Sequence, residues 1–315
     1  MKILFILAVL AVITVPNPGY IPKCDAASIN KCNNPALTLW SKFYNVKIRN
    51  GKTYYVVPYT DNIIALYFLK KNKNIGIIKN YILWYFKHLN YPDKFGLTGT
   101  MYDYRIAGTG CEEKSTKTYD SADSYAATYL MVIYKYYKKT KDIRTLKYIL
   151  PKLKDVAYII PYLQASNDGL INALPDKDEK YLMDNCEDYG GVKAYLGLLR
   201  ITGKKFSREY NRYEKLKKSI KAAVIKNLYN RSRHNFDWAV IRGRKRYSNW
   251  FVYYPDALAQ LFPILYGIAD NSTVSETFLW NKFESIYKNK TGSFPLEQRA
   301  LYILTKEKIK KERNK

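Results

Sequence analysis

The chain has 315 residues, 47% hydrophobic and 25% charged, which excludes a disordered protein and suffices for one large domain or two small ones. Lys and Arg number 53 against 27 Asp and Glu, a surplus of 26 positive charges that gives a strongly positive surface. With only His88 and His234, chemistries built on several imidazoles are all but excluded, and no HExxH occurs. The 32 tyrosines, beside abundant Lys, Ile and Asn, read first as the mark of an AT-rich genome.

Met1-Lys2 and an apolar run over 3–15, broken by Pro16, Asn17, Pro18 and Gly19, have the layout of a secretory signal peptide over 1–19. The run is short for a bilayer span, which needs roughly 20 residues. No second apolar span follows, so the mature protein is expected without a stable membrane span, secreted or in the cell envelope; an uncleaved anchor stays open. Three sequons, at Asn230, Asn271 and Asn289, permit export without requiring it. The four cysteines, Cys24, Cys32, Cys111 and Cys186, suit an oxidising compartment and allow three pairings. No CxxC occurs, which with two histidines disfavours zinc.

From residue 60 the apolar spacing predicts paired helices: 61–71 with 75–89, 121–138 with 142–164, 186–201 with 206–228, and 256–268 with 275–289. A helix over 295–311 closes the series. The first helix of each pair is apolar nearly all round and the second is studded with lysine, as in Glu214-Lys215-Leu216-Lys217-Lys218. Apolar helices inside and charged helices outside make concentric rings, an all-α α/α toroid in one domain over 36–305, with a basic tail over 306–315. The stretch 235–250 departs from this: Phe236, Trp238, Val240 and Ile241, then Arg242-Gly243-Arg244 and Tyr247, predict a small β-hairpin insertion. The loops 91–120 and 167–185 are far longer than ordinary connections and would emerge on one face, which is therefore the candidate site.

Two segments on that face carry acids three residues apart with flanking tyrosines: Tyr119-Asp120-Ser121-Ala122-Asp123-Ser124-Tyr125 and Tyr181-Leu182-Met183-Asp184-Asn185-Cys186-Glu187-Asp188-Tyr189. Asp120 and Asp184 fit helix capping equally well. The functional reading is paired carboxylates for glycosidic cleavage, one acid and one base or nucleophile. Asp123 and Glu187 are the catalytic candidates; Tyr102, Asp103, Tyr119, Asp120, Tyr125, Tyr181, Asp184 and Tyr189 are candidates for holding sugar. The five tryptophans read as core more readily than as sugar platforms.

Gly99-Thr100-Met101-Tyr102-Asp103-Tyr104, the Asp120–Thr128 stretch, Thr140-Lys141-Asp142, Asp168-Gly169-Leu170, Asp176 and Tyr181–Asn185 follow one another in an order that resembles the six-hairpin glycosidase superfamily. The resemblance implies an (α/α) toroid with a carbohydrate cleft and catalysis by acids, without a cofactor or metal. It departs from the full pattern in helix number, about ten against twelve. The expected activity is that of an exported glycoside hydrolase on an oligo- or polysaccharide, anionic if the positive charge serves the ligand. Two readings stay open beside it: a polysaccharide lyase on the same fold, and a non-catalytic glycan-binding envelope protein. Export and the lack of a binding module argue against nucleic acid as partner. Neighbouring inner helices also place Cys111 and Cys186 on one face, where a disulfide is expected.

Overall fold

The computed structural model describes residues 33–110 and 112–313. The expected signal segment and Cys24, Cys32 and Cys111 lie outside them. Among the described residues there are ten α-helices: α1 (Pro35–Tyr44), α2 (Pro58–Lys71), α3 (Ile75–Lys87), α4 (Ala122–Thr140), α5 (Ile143–Leu163), α6 (Leu182–Ile201), α7 (Arg208–Leu228), α8 (Leu261–Tyr266), α9 (Glu276–Tyr287) and α10 (Leu296–Arg313). None is long and apolar enough to cross a membrane.

Helices α2, α4, α6, α8 and α10 each pack on the next, and α10 closes the ring by packing against both α8 and α2. Around them lie α1 and α3, then α5 against α4 and α6, α7 against α6, and α9 against α8. This is an α/α toroid of five helical hairpins. The alternation follows burial: α4 is buried on nearly every face through its first three turns, while α7 buries only the stripe that includes Tyr213, Leu216, Ile220 and Val224. The closest approach in the ring is α4 against α6. Gly191 makes it possible, since a Cβ there would stand 2.6 Å from the Ala127 Cα.

Helix starts differ between the rings, the outer helix α3 being the exception, since its N-cap Asn74 makes no side-chain cap bond. In the outer helices α1, α5, α7 and α9, the side chains of Asn34, Asp142, Ser207 and Ser275 accept a backbone amide of the first turn. Each such cap is worth about 1 kcal/mol. The inner helices α2, α4, α6 and α8 have no side-chain cap bond. Their uncapped starts all point to the face that carries the long loops.

Two small antiparallel sheets shape that upper face. Strand β1 (Thr53–Val56) pairs with β2 (Tyr104–Ala107), which pairs with β3 (Glu113–Ser115). Strand β4 (Glu179–Tyr181) pairs with β7 (Ala239–Ile241), and β7 with β8 (Arg244–Arg246); β5 (Tyr229–Asn230) and β6 (Asn235–Phe236) form a short ladder beneath. The β7–β8 hairpin is the one expected from sequence. Its two-residue turn places Arg242 and Gly243 at φ 49° and 70°, as a turn matched to strand twist requires.

Three expectations need correction. The helix expected over 256–268 is broken: a turn at Tyr253–Ala257 is followed by the short α8. Pro263 donates no amide there, and Gln260 spends its side chain on both backbone groups of Phe236. The helix expected from 186 starts four residues earlier, at Leu182, so Asp184 lies inside its first turn. The residues expected as a basic tail from 306 continue α10, an inner helix despite its lysines.

Candidate functional site

The acids group where α2, α4 and α6 begin. They form two layers. In the lower layer Asp61, Asp123, Glu187 and Asp188 are fully or almost fully buried. Glu187 accepts from Tyr59 Oη at 2.9 Å, Ser124 Oγ at 2.7 Å and Tyr266 Oη at 3.4 Å. Asp123 Oδ1 accepts the Ser124 amide at 2.8 Å, while its Oδ2 and both Asp188 oxygens meet no donor. Asp123 and Asp188 act on each other, Asp188 being raised by burial and by the Asp123 charge. Burial pushes the Asp123 carboxyl up to about 7, against bonds from Ser124 and Asp188. Burial likewise raises Asp61, Asp188 and Glu187 well above the carboxylate range.

In the upper layer Asp120 is exposed and Asp184 half-buried. Asp184 is held well above its usual range by burial first, then by the charges of Asp123 and Asp120. Asp103 accepts Tyr55 Oη and Tyr125 Oη, each at 2.8 Å; burial raises its carboxyl and the two hydroxyls lower it. Tyr181 stacks on Trp238 with ring centroids 6.2 Å apart and planes 9° from parallel, next to the Tyr181–Ala239 pair of the β4–β7 ladder. Tyr55 and Tyr254 are more than half exposed at the same acids. The charges of Asp120 and Asp184 both act on Tyr181 and Tyr254. The upper layer thus sets two reachable carboxyl groups among aromatic rings.

The structure brings together only part of the set expected from sequence. Asp103, Asp120, Tyr181 and Asp184 meet at the upper face. Asp123 and Glu187 lie on the same helix starts but turn inward, at 0% exposure. Tyr102 and Tyr119 are buried and stacked on each other; one accepts the Lys94 amide and the other donates to Asp93, so they brace the long loop. Tyr125 is buried beneath Asp103. Tyr189 points away, into a cavity at the opposite end of the ring. Neither Asp120 nor Asp184 caps its helix, which removes the bland alternative for both.

The expected disulfide is not formed: Cys186 is a free thiol, fully buried on the core side of α6, and Cys111 lies outside the described residues. Burial raises that thiol well above its usual value. Tyr55, Tyr59, Trp238, Tyr254 and Asp188 were not singled out from sequence. Tyr59, placed like Tyr119 just before a helix acid, carried the one legible signal. Among the described residues no group of three or more His, Cys, Asp or Glu is arranged to hold a metal ion.

No protein-family model matches the sequence, and no curated protein does. Solved structures do. A GH76 α-mannanase from Bacteroides thetaiotaomicron is 12% identical, with 92% of this chain and 82% of that one covered, at a TM-score of 0.53. A GH78 rhamnosidase of Bacillus is 10% identical over 81% of this chain and 25% of its own, at 0.53. A rhamnosidase from Klebsiella oxytoca is 9% identical over 82% and 48%, at 0.50. The chain thus spans about half the second rhamnosidase and a quarter of the first. The likeness shows a shared α/α-toroid fold.

Proposed function

We propose that the protein is a carbohydrate-active enzyme, a glycoside hydrolase that cleaves an oligo- or polysaccharide on the upper face. Asp184 acts as general acid and Asp120 as the facing carboxylate. The observation that carries this is the pairing itself: a half-buried acid raised by burial and by neighbouring carboxylates, within reach of an acid open to water. Glycosidic cleavage needs one carboxyl group in each state. The Tyr181–Trp238 stack and exposed Tyr254 supply flat apolar surfaces for sugar rings. Asp123 acts from beneath, its charge adding to burial in raising Asp184. The toroid likeness to a mannanase and two rhamnosidases supports a carbohydrate as partner. The surplus of positive charge favours an anionic glycan, and the 3–15 run favours action after export.

Product analysis on a glycan panel tests this. The unmodified protein should release product from at least one glycan, and Asp184→Asn and Asp120→Asn should each lower turnover by about 100- to 10,000-fold with unchanged melting temperature. Full activity in either variant, or a panel bound without any product, would remove the hydrolase reading.

A further inference from the structure

At the opposite end of the toroid, where the inner helices finish, a cavity of about 970 Å³ opens. Its depth is apolar, built from Ile63, Met131 and Leu265 with the rings of Tyr189 and Tyr266. Its charged lining is nine Lys or Arg and one Glu, of which Lys70, Arg200, Lys217 and Lys308 are paired with carboxylates. Part of this has an ordinary cause. Lys70, Lys138, Lys139 and Arg200 sit in the last turns of α2, α4 and α6, where cations complement free carbonyls.

That cause does not reach Lys135 and Lys193, which lie further inside α4 and α6. Neither has a carboxylate partner among the described residues. The Lys193 ammonium donates to the Tyr266 carbonyl at 3.2 Å and lies 5.1 Å from the Tyr189 ring centroid. Both ammonium groups are pushed down, first by burial and then by other lysines: Lys70, Lys311 and Lys138 act on Lys135, and Lys308 and Lys135 act on Lys193. Both residues are exposed, whereas the sealed Lys180 is paired, with Asp168 at 2.9 Å and Asp178 at 2.7 Å. Cations that converge without carboxylate partners over an apolar floor repel one another and match an anion with an apolar body.

We propose that this cavity binds a small soluble phosphate ester carrying several negative charges and a ring or other apolar body. Its volume falls at the upper end of ordinary ligand pockets, about 300–1,000 Å³, and so suits a compact ligand rather than a polymer laid across a face. Lys135 and Lys193 would hold phosphate oxygens, and the Tyr189 and Met131 floor would receive the ring. This site is separate from the carboxylates of the upper face and does not depend on their role.

Titration calorimetry of the full chain with ATP and with tripolyphosphate tests it. Both probes should bind saturably at one site. Lys135→Met with Lys193→Met should weaken both by about ten-fold or more, the usual worth of charge-assisted bonds. The same double variant should melt no lower than the unmodified protein. The matched pair Lys215→Met with Lys226→Met, at exposed positions of α7, should leave binding unchanged. Should the first double variant fail to fold, Lys311→Met at the rim should weaken ATP alone in the same direction. Equal losses in the two double variants would reduce the effect to diffuse charge and overturn the proposal. So would a lack of saturable binding by either probe. Binding to phosphatidylserine vesicles that is lost in Lys135→Met with Lys193→Met, without binding of ATP, would assign the cavity to a membrane instead.

Discussion

Asp61, Asp123 and Asp188 each carry a buried carboxyl oxygen with no donor, an arrangement that costs far less for a neutral group than for a charged one. All three are raised by burial, so the folded chain holds protons that the unfolded chain has already released. Their contribution is therefore complete below the ordinary carboxylate value and is lost as pH rises toward the folded one. For Asp123 that window runs from 3.8 to about 7. Acting alone it would cost on the order of 4 kcal/mol across the window, at about 1.4 kcal/mol per unit. Urea denaturation at pH 5, 6.5 and 8 should show stability falling throughout, and Asp123→Asn should flatten the fall because an amide cannot ionise. Stability that climbs over that range would mean these acids are ionised and paired in solution. Cys186 adds a second check at this scale: peptide mapping after a thiol reagent should find it unmodified until the chain unfolds, because its sulfur is sealed at 0% exposure.

Among the elements, the contact between α4 and α6 sets the site, because it brings Asp120 and Asp123 beside Asp184 and Glu187. Gly191→Ala would place a methyl 2.6 Å from the Ala127 Cα and 2.7 Å from its Cβ. Backbone cannot yield as a flexible side chain does, so the helices must part, at about 1–3 kcal/mol. A chemical-denaturation midpoint equal to that of the unmodified protein would show that the two helices separate freely. The pairs, the two-ring order and the β7–β8 hairpin were legible in sequence because burial writes a period into the chain. What was not legible has equally physical causes. The α1 helix and β1 precede the first strong apolar period, and β1, β2 and β3 are only four, four and three residues long. Helix α10 reads as an outer helix by its lysines, since a period cannot tell open solvent from a water-filled cavity. Sequence also placed four acids at two helix starts but could not tell which pair turns out. That depends on α6 starting at Leu182, where Asp184 reaches the rim and Glu187, nearly one turn on, faces inward.

For the molecule as a whole, the toroid separates its charges along the ring axis. Acids gather where the inner helices begin and cations where they end, with Tyr266 between them, bonded to Glu187 on one side and lining the cavity on the other. A surplus of 26 positive charges, partly concentrated at one end, repels itself across distances that salt can screen. The Debye length falls from about 30 Å at 0.01 M to about 10 Å at 0.1 M, so sodium chloride over that interval should relieve the repulsion. The melting temperature should then rise by about 1.5 °C, the shift that roughly 1 kcal/mol gives in a chain of this size. Scanning calorimetry of Lys135→Met with Lys193→Met should show a smaller rise, because two of the least-paired cations are gone. The opposing term is the loss of attraction in bridges such as Lys217–Glu214 and Lys180 with its two aspartates. The exposed bridges are each worth only about 0–1 kcal/mol, and the enclosed Lys180 group is screened least. Repulsion should therefore win, and a melting temperature that drops as salt is added would show that the ion pairs dominate the molecule's electrostatics.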